Sequence, residues 1–220
     1  MREKTIIVKD TPFSYMDEWG DPYVFNPATH QDMLALLRLA TTLLNDCGIR
    51  FILAYGTLLG AVREGSIING DDDIDLIVTD EEKLFNSLPY LYEHGLFVNR
   101  IFTTELYTFH SEGRRGHLDI YIMRSPHNRL YNSWCVSISG HFTPKRFFEG
   151  VEENHYFIEG DSYPCPKDSE GFLKWLYGKN WRIPQSNKGK TGVFFQRMSR
   201  FFPKYWGKLK RKLKRMRMGS

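Results

Sequence analysis

The chain has 220 residues, 41% hydrophobic and 25% charged, with a net charge of +4, the balance of an ordinary globular domain with a sizeable core. No run of about 18 apolar residues is present, and no apolar stretch follows the charged Met1-Arg2-Glu3-Lys4, so neither a membrane span nor a secretory leader is expected. Cys47, Cys135 and Cys165 stand far apart without C-x-x-C spacing, which argues against a disulfide framework or a cysteine-rich zinc site and for reduced thiols in the cytoplasm.

Charge is distributed unevenly. All 26 acidic residues lie at or before Glu170, while half of the 30 lysines and arginines follow it, so the body is acidic and the last fifty residues are strongly basic. The expected organisation is an N-terminal extension over 1–25, a catalytic domain over 26–186, and a basic aromatic tail over 187–220.

In chain order, Thr5 to Val8 reads as an edge strand. Asn26-Pro27 offers a helix N-cap, and Met33, Leu36, Leu37, Ala40, Leu43, Leu44 and Cys47 keep a helical period until Gly48. Phe51 to Ala54 is a short buried strand. Thr79-Asp80-Glu81-Glu82 opens a second helix that Pro89 ends or kinks. Strand patterns then cover Leu96–Phe102, Glu105–His110, His117–Met123 and Trp134–Ile138, and an amphipathic helix carrying Phe172, Leu173 and Leu176 stops at Gly178.

The stretch Tyr55 to Val78, YGTLLGAVREGSIINGDDDIDLIV, carries the chemistry. Asp73 and Asp75 alternate with apolar residues, so on a strand they project from one face a few ångströms apart. Like charges that close repel unless a cation or a proton intervenes, and a hard divalent ion with oxygen ligands removes the conflict. Before them, Gly56-Thr57 reads as a turn offering free N–H groups and a hydroxyl to a phosphate, and Arg63 suits a bidentate phosphate contact. The plainer alternatives are a solvated acidic turn or a calcium loop, and the EF-hand pattern is missing its central Gly and final Glu. Asp71 and Asp72 precede the strand and are expected to orient the loop rather than to bind metal directly. In His117-Leu118-Asp119-Ile120-Tyr121, alternation puts His117, Asp119 and Tyr121 on one face. A mid-strand aspartate needs a partner, which makes Asp119 the third carboxylate. His117 would touch phosphate or orient Asp119, or serve only the scaffold. Tyr177 and Trp181 would stack on a base or sugar, or seal the core. His127, His141 and His155 lack metal-ligand spacing.

GTLLGAVR followed by DDDIDL resembles the LicD-type phosphotransferases, which include fukutin and the fukutin-related protein within the wider nucleotidyltransferase fold. The likeness is specific over Tyr55 to Val78 and looser from Gln31 to Pro184. Family members usually carry His where this chain has Glu64, and Pro-Trp where it has Asn69-Gly70. The resemblance implies an α+β fold, a nucleotidyltransferase-like mixed β-sheet flanked by helices, with the basic C-terminal tail appended. It implies Mg²⁺ or Mn²⁺ held by Asp73, Asp75 and Asp119, and a CDP-linked donor such as CDP-choline or a CDP-polyol. A phosphoalkyl group would pass to a hydroxyl of a glycan or glycolipid acceptor, of the lipopolysaccharide or capsule type, with CMP leaving. Gly56, Thr57, Arg63, His117 and Tyr177 would bind substrate. The aromatics and lysines of residues 194–217 suit an anionic membrane surface, giving a cytoplasmic protein peripheral to the membrane face, with nucleic acid the less favoured polyanion. Two rivals remain at this level: a nucleotidyltransferase that releases pyrophosphate, and a non-catalytic module that binds membrane or RNA.

Overall fold

The computed structural model describes residues 1–18, 26–102, 105–125, 133–136, 141–149 and 154–184. The linker from Asn187, the basic segment 194–217 and His127 lie outside the described residues, as does part of the 1–25 extension. The chain divides into two units, Met1–Phe172 and Leu173–Ser220.

The first unit begins with a hairpin that is only half legible in sequence. Strands β1 (Arg2–Val8) and β2 (Thr11–Asp17) pair antiparallel across Lys9-Asp10. Both turn residues have positive φ, 47° and 62°, the backbone sign that a two-residue hairpin loop requires to match strand twist. Helix α1 (His30–Asp46) follows. Its N-cap is Thr29, not Asn26: the Thr29 hydroxyl accepts from the Asp32 N–H, and Asp32 in turn accepts from the Thr29 N–H at 2.8 Å. Asn26 instead bridges to Arg115, and its N–H bonds to the Arg114 carbonyl at 2.8 Å.

Strand β3 (Phe51–Leu53) leads into helix α2 (Tyr55–Glu64), where the sequence suggests a turn, and then into β4 (Asp73–Val78). Two short helices follow, α3 (Glu81–Asn86), capped by the Asp80 side chain rather than by Thr79, and α4 (Leu88–Glu93), with Pro89 in its first turn. Strands β5 (Phe97–Phe102), β6 (Leu106–His110) and β7 (His117–Arg124) form a meander that returns the chain to β4. Strands β8 (Ser133–Val136) and β9 (His141–Pro144) extend from the end of β7. A separate hairpin joins β10 (His155–Ile158) to β11 (Asp161–Pro164), and α5 (Ser169–Tyr177) crosses into the second unit.

The main sheet runs β3-β4-β7-β6-β5, with β4 and β7 parallel and the other pairs antiparallel. It is therefore the mixed sheet of an α+β fold, and α1 packs on β4 and β7 while α2 packs on β4. Alternation divides its two faces. Ile74, Leu76, Val78, Leu118, Ile120, Tyr107 and Phe109 share one face and are fully buried. On the other, Asp75, Asp119, Thr108 and Arg100 are neighbours in register across β4, β7, β6 and β5. All four are at least nine-tenths buried, a polar row that an apolar sheet face would not accept without a reason.

The first hairpin is fastened to this sheet by Glu18. Its N–H donates to the Asn99 carbonyl at 2.8 Å, Asn99 Nδ2 donates back to Glu18 Oε2 at 3.1 Å, and Arg114 Nη2 reaches both carboxylate oxygens at 2.7 and 2.8 Å. Among the described residues, no helix is long and apolar enough to cross a membrane.

Candidate active site

Helix α2 and strand β4 meet at the aspartates. Ala54 is extended, and its N–H donates to the Asp75 carbonyl at 3.0 Å. Tyr55 then takes φ of 40°, a conformation unusual for a bulky residue, and the helix starts. The Gly56 N–H, one of the helix's otherwise unpaired first-turn donors, bonds to Asp75 Oδ2 at 3.1 Å. The Asp75 N–H donates to Thr57 Oγ1 at 2.9 Å. Glycine at position 56 leaves room for the acids: a Cβ there would lie 2.9 Å from Asp71 Oδ2 and would push that carboxylate aside.

The expected phosphate turn is thus the first turn of a helix. Thr57 is buried, with its hydroxyl oxygen on the backbone of β4. Arg63 sits in the last turn, about 10 Å along the axis from Gly56 at 1.5 Å per residue. Its guanidinium is paired with the Glu64 carboxylate. Gly56, Thr57 and Arg63 are consequently spread along α2, not gathered in one hairpin. The reason is that TLLGAVR satisfies helical periodicity, while the Gly-Thr dipeptide alone suggested a turn.

Parallel pairing sets Asp73 beside His117 and Asp75 beside Asp119. Across the next pair, Thr108 lies opposite Asp119, and its hydroxyl donates to Asp119 Oδ1 at 2.7 Å inside the protein. Asp71, Asp72 and Asp73 form a tighter set still: each offers a carboxylate oxygen, and these lie within 4.8 Å of one another. Sequence order places Asp71 and Asp72 outside the strand, but the loop bends so that Asp71 faces Gly56 and joins the other acids.

Electrostatics follow from this crowding. Burial, then the charge of Asp73, push Asp71 up to about 7. Burial and the adjacent Asp73 and Asp119 raise Asp75 well above the usual carboxylate range. Asp73 and Asp119 are also raised by burial, opposed in both by His117 and, in Asp119, by the Thr108 hydrogen bond. Tyr55 and Tyr121 meet edge to face at 4.8 Å beside the acids, and burial with the Asp75 charge raises both phenols. The sequence signal for Tyr121 was its alternation with Asp119. For Thr108 there was none, because only the β6–β7 register brings it to the site.

Of the remaining expected residues, Tyr177 ends α5 in the second unit and is partly exposed at 38%. Trp181 is buried there, with the Arg182 guanidinium 4.4 Å from its ring centre.

The chain is similar in sequence to two curated proteins. A protein of Rickettsia prowazekii (strain Madrid E), itself uncharacterised, is 25% identical over 174 residues, covering 78% of this chain and 59% of that protein. The ribitol-5-phosphate transferase FKTN of Mus musculus is 27% identical over 157 residues, covering 68% of this chain and 33% of its own length. The chain therefore spans less than two thirds of the length of either curated relative. Among solved structures, the lincosamide antibiotic adenylyltransferase LnuA with bound lincomycin superposes with a TM-score of 0.48 at 14% identity, over 74% of this chain and 94% of that one. The family model described as LicD/FKTN/FKRP, nucleotidyltransferase domain, matches residues 48–168, more than half of the chain, and that stretch includes Asp71, Asp72, Asp73, Asp75 and Asp119. The chain belongs to the LicD/FKTN/FKRP nucleotidyltransferase-domain family.

Proposed function

We propose that the protein is a divalent-metal-dependent transferase that moves a phosphoalkyl group from a CDP-activated donor to a hydroxyl of a glycan or glycolipid. The observation that carries this reading is the in-register pair Asp75 and Asp119 on parallel strands, with Asp71 beside Gly56 at the first turn of α2 and Asp73 close to Asp71. Four buried or half-buried acids, raised first by burial and further by one another's charge, form an all-oxygen donor set, which fits a hard cation such as Mg²⁺ or Mn²⁺. Asp73, Asp75 and Asp119 would hold it, and when bound it would neutralise charge on the donor diphosphate and on the attacking and leaving oxygens.

The protein groups act by positioning and proton handling. The Gly56 N–H and the positive end of α2 hold Asp75 in one orientation. His117, beside Asp73, meets the donor phosphate. The acceptor hydroxyl oxygen forms a bond to the phosphorus of the transferred group, the bond from that phosphorus to CMP breaks, and the hydroxyl proton is released to water, its loss favoured by the Asp119 charge. The basic segment 194–217 would hold the enzyme at an anionic surface where a lipid-linked acceptor resides.

Thermal stabilisation by CDP, CMP, ATP, GTP and UDP, each with and without Mg²⁺, tests the reading. At 100 times its Kd a ligand adds about 2.7 kcal/mol, a visible rise in Tm. A Mg²⁺-dependent rise confined to cytidine nucleotides, followed by CMP release from a CDP-alkyl donor, is expected. Preference for ATP or GTP with pyrophosphate release would replace it with nucleotidyl transfer, and no rise with any nucleotide would leave a non-catalytic module.

A further inference from the structure

The polar row across the sheet ends in two residues outside the acidic motif, Thr108 on β6 and Arg100 on β5. Thr108 has no exposed surface, and its hydroxyl is 2.7 Å from Asp119 Oδ1. A threonine in a strand is stiff about χ1, so this donor is held in place by its own backbone and by the register with β7. The bond therefore fixes the rotation of the Asp119 carboxylate and commits one of its two oxygens. Arg100 is the cross-strand neighbour of Thr108, 6% exposed, and its positive charge stabilises the Asp119 carboxylate.

We infer that Thr108 is a positioning residue, holding Asp119 so that a single oxygen, Oδ2, is turned to a divalent cation shared with Asp75, with Arg100 supplying the counter-charge on the far side. This rests on the metal-dependent reading above. It adds to that reading a requirement no motif contains: a hydroxyl two strands from β4 sets the third carboxylate. Outer hydrogen bonds of this type commonly change metal affinity 10- to 100-fold. Serine preserves the hydroxyl and valine preserves the shape, so the two substitutions separate the hydrogen bond from the packing.

The test is Mn²⁺ titration of the full chain, with free ion followed by electron paramagnetic resonance, for wild type, Thr108→Val, Thr108→Ser and Asp75→Asn. Metal-free Tm is recorded for each. Thr108→Val is expected to weaken Mn²⁺ binding by roughly 10-fold or more, while Thr108→Ser stays within about threefold of wild type. A folded Thr108→Val that binds Mn²⁺ within twofold of wild type would overturn the inference and leave the metal reading standing. If Thr108→Val does not fold, Thr108→Ser decides: a folded serine variant that loses affinity tenfold is equally fatal, because its hydroxyl is intact. Wild type and Asp75→Asn binding Mn²⁺ equally, or not at all, would remove the metal reading itself and this inference with it.

Discussion

Two clusters of buried charge among the described residues of the first unit are resolved in opposite ways. At the base of the first hairpin, the Glu18 carboxylate is met by Arg114 and Asn99. At the start of β4 and β7, Asp71, Asp73, Asp75 and Asp119 converge, and His117, Arg100, Thr108 and the Gly56 N–H offset the crowding only in part, since all four carboxyls stay above their ordinary range. A buried charge answered by its opposite fastens elements together. Like charges left facing one another are costly to the fold and make sense as a site that acquires its countercharge from a ligand.

Substitution in each cluster should break that contrast in a different observable. Asp75→Asn relieves repulsion, so the metal-free protein is expected to fold at least as well as wild type, while turnover falls by about 10²- to 10³-fold or more, the scale of losing one electrostatic group from a reacting centre. Comparing initial rates with metal-free Tm checks both halves. Glu18→Ala should do the reverse. Removing a carboxylate that is 4% exposed leaves Arg114 and the buried Asn99 without it, and a loss of about 3 kcal/mol is expected in urea unfolding, with activity per folded molecule retained.

Acidity sharpens the comparison further. The folded-state pKa of Asp71, about 7, lies above its ordinary value of 3.8, so the folded state binds more protons than the unfolded state between those limits. Its contribution to stability is fully present below the lower value and is lost as pH rises through the upper one. The Tm of metal-free protein is therefore expected to fall as pH rises from about 4 to about 7, and Asp71→Asn to flatten that part of the profile. Mg²⁺ should offset the fall, because it replaces the protons that the acids give up. Smallest of all, Arg38→Ala should change stability by no more than about 0.5 kcal/mol: its bond to Asp161 is short, 2.6 Å, but both side chains are about half exposed. A larger loss on chemical unfolding would show that exposed pairs, too, carry weight in this fold.

Much of the architecture was written in local patterns. Strands β4 and β7 were legible because acids alternated with aliphatic residues in both, and α1 because its apolar stripe kept a 3.6-residue period. What local pattern hid was helix α2, since Gly-Thr is a turn signal in isolation while the whole TLLGAVR segment is helical. Helix caps follow contact rather than residue type. Asn26 and Thr79 are good caps by type, but Thr29 and Asp80 win because their side chains reach the third residue of the helix. The hairpin partner β2 was obscured by its mixture of Pro, Ser and Asp, although Phe13, Tyr15 and Asp17 alternate inward once it pairs with β1.

For the site the division is between identity and distance. Sequence alone determined the chemistry available: several carboxylates on short strands, a small residue before them and a later mid-strand aspartate, because a period of two fixes which side chains share a face. Only the tertiary structure decided which of them meet. Pairing β4 parallel to β7 sets Asp75 against Asp119 across 43 intervening positions, the bend before β4 swings Asp71 onto Gly56, and the β6–β7 register delivers Thr108. Those neighbours are fixed by backbone hydrogen bonds between distant segments, and no stretch of the chain read by itself contains that information.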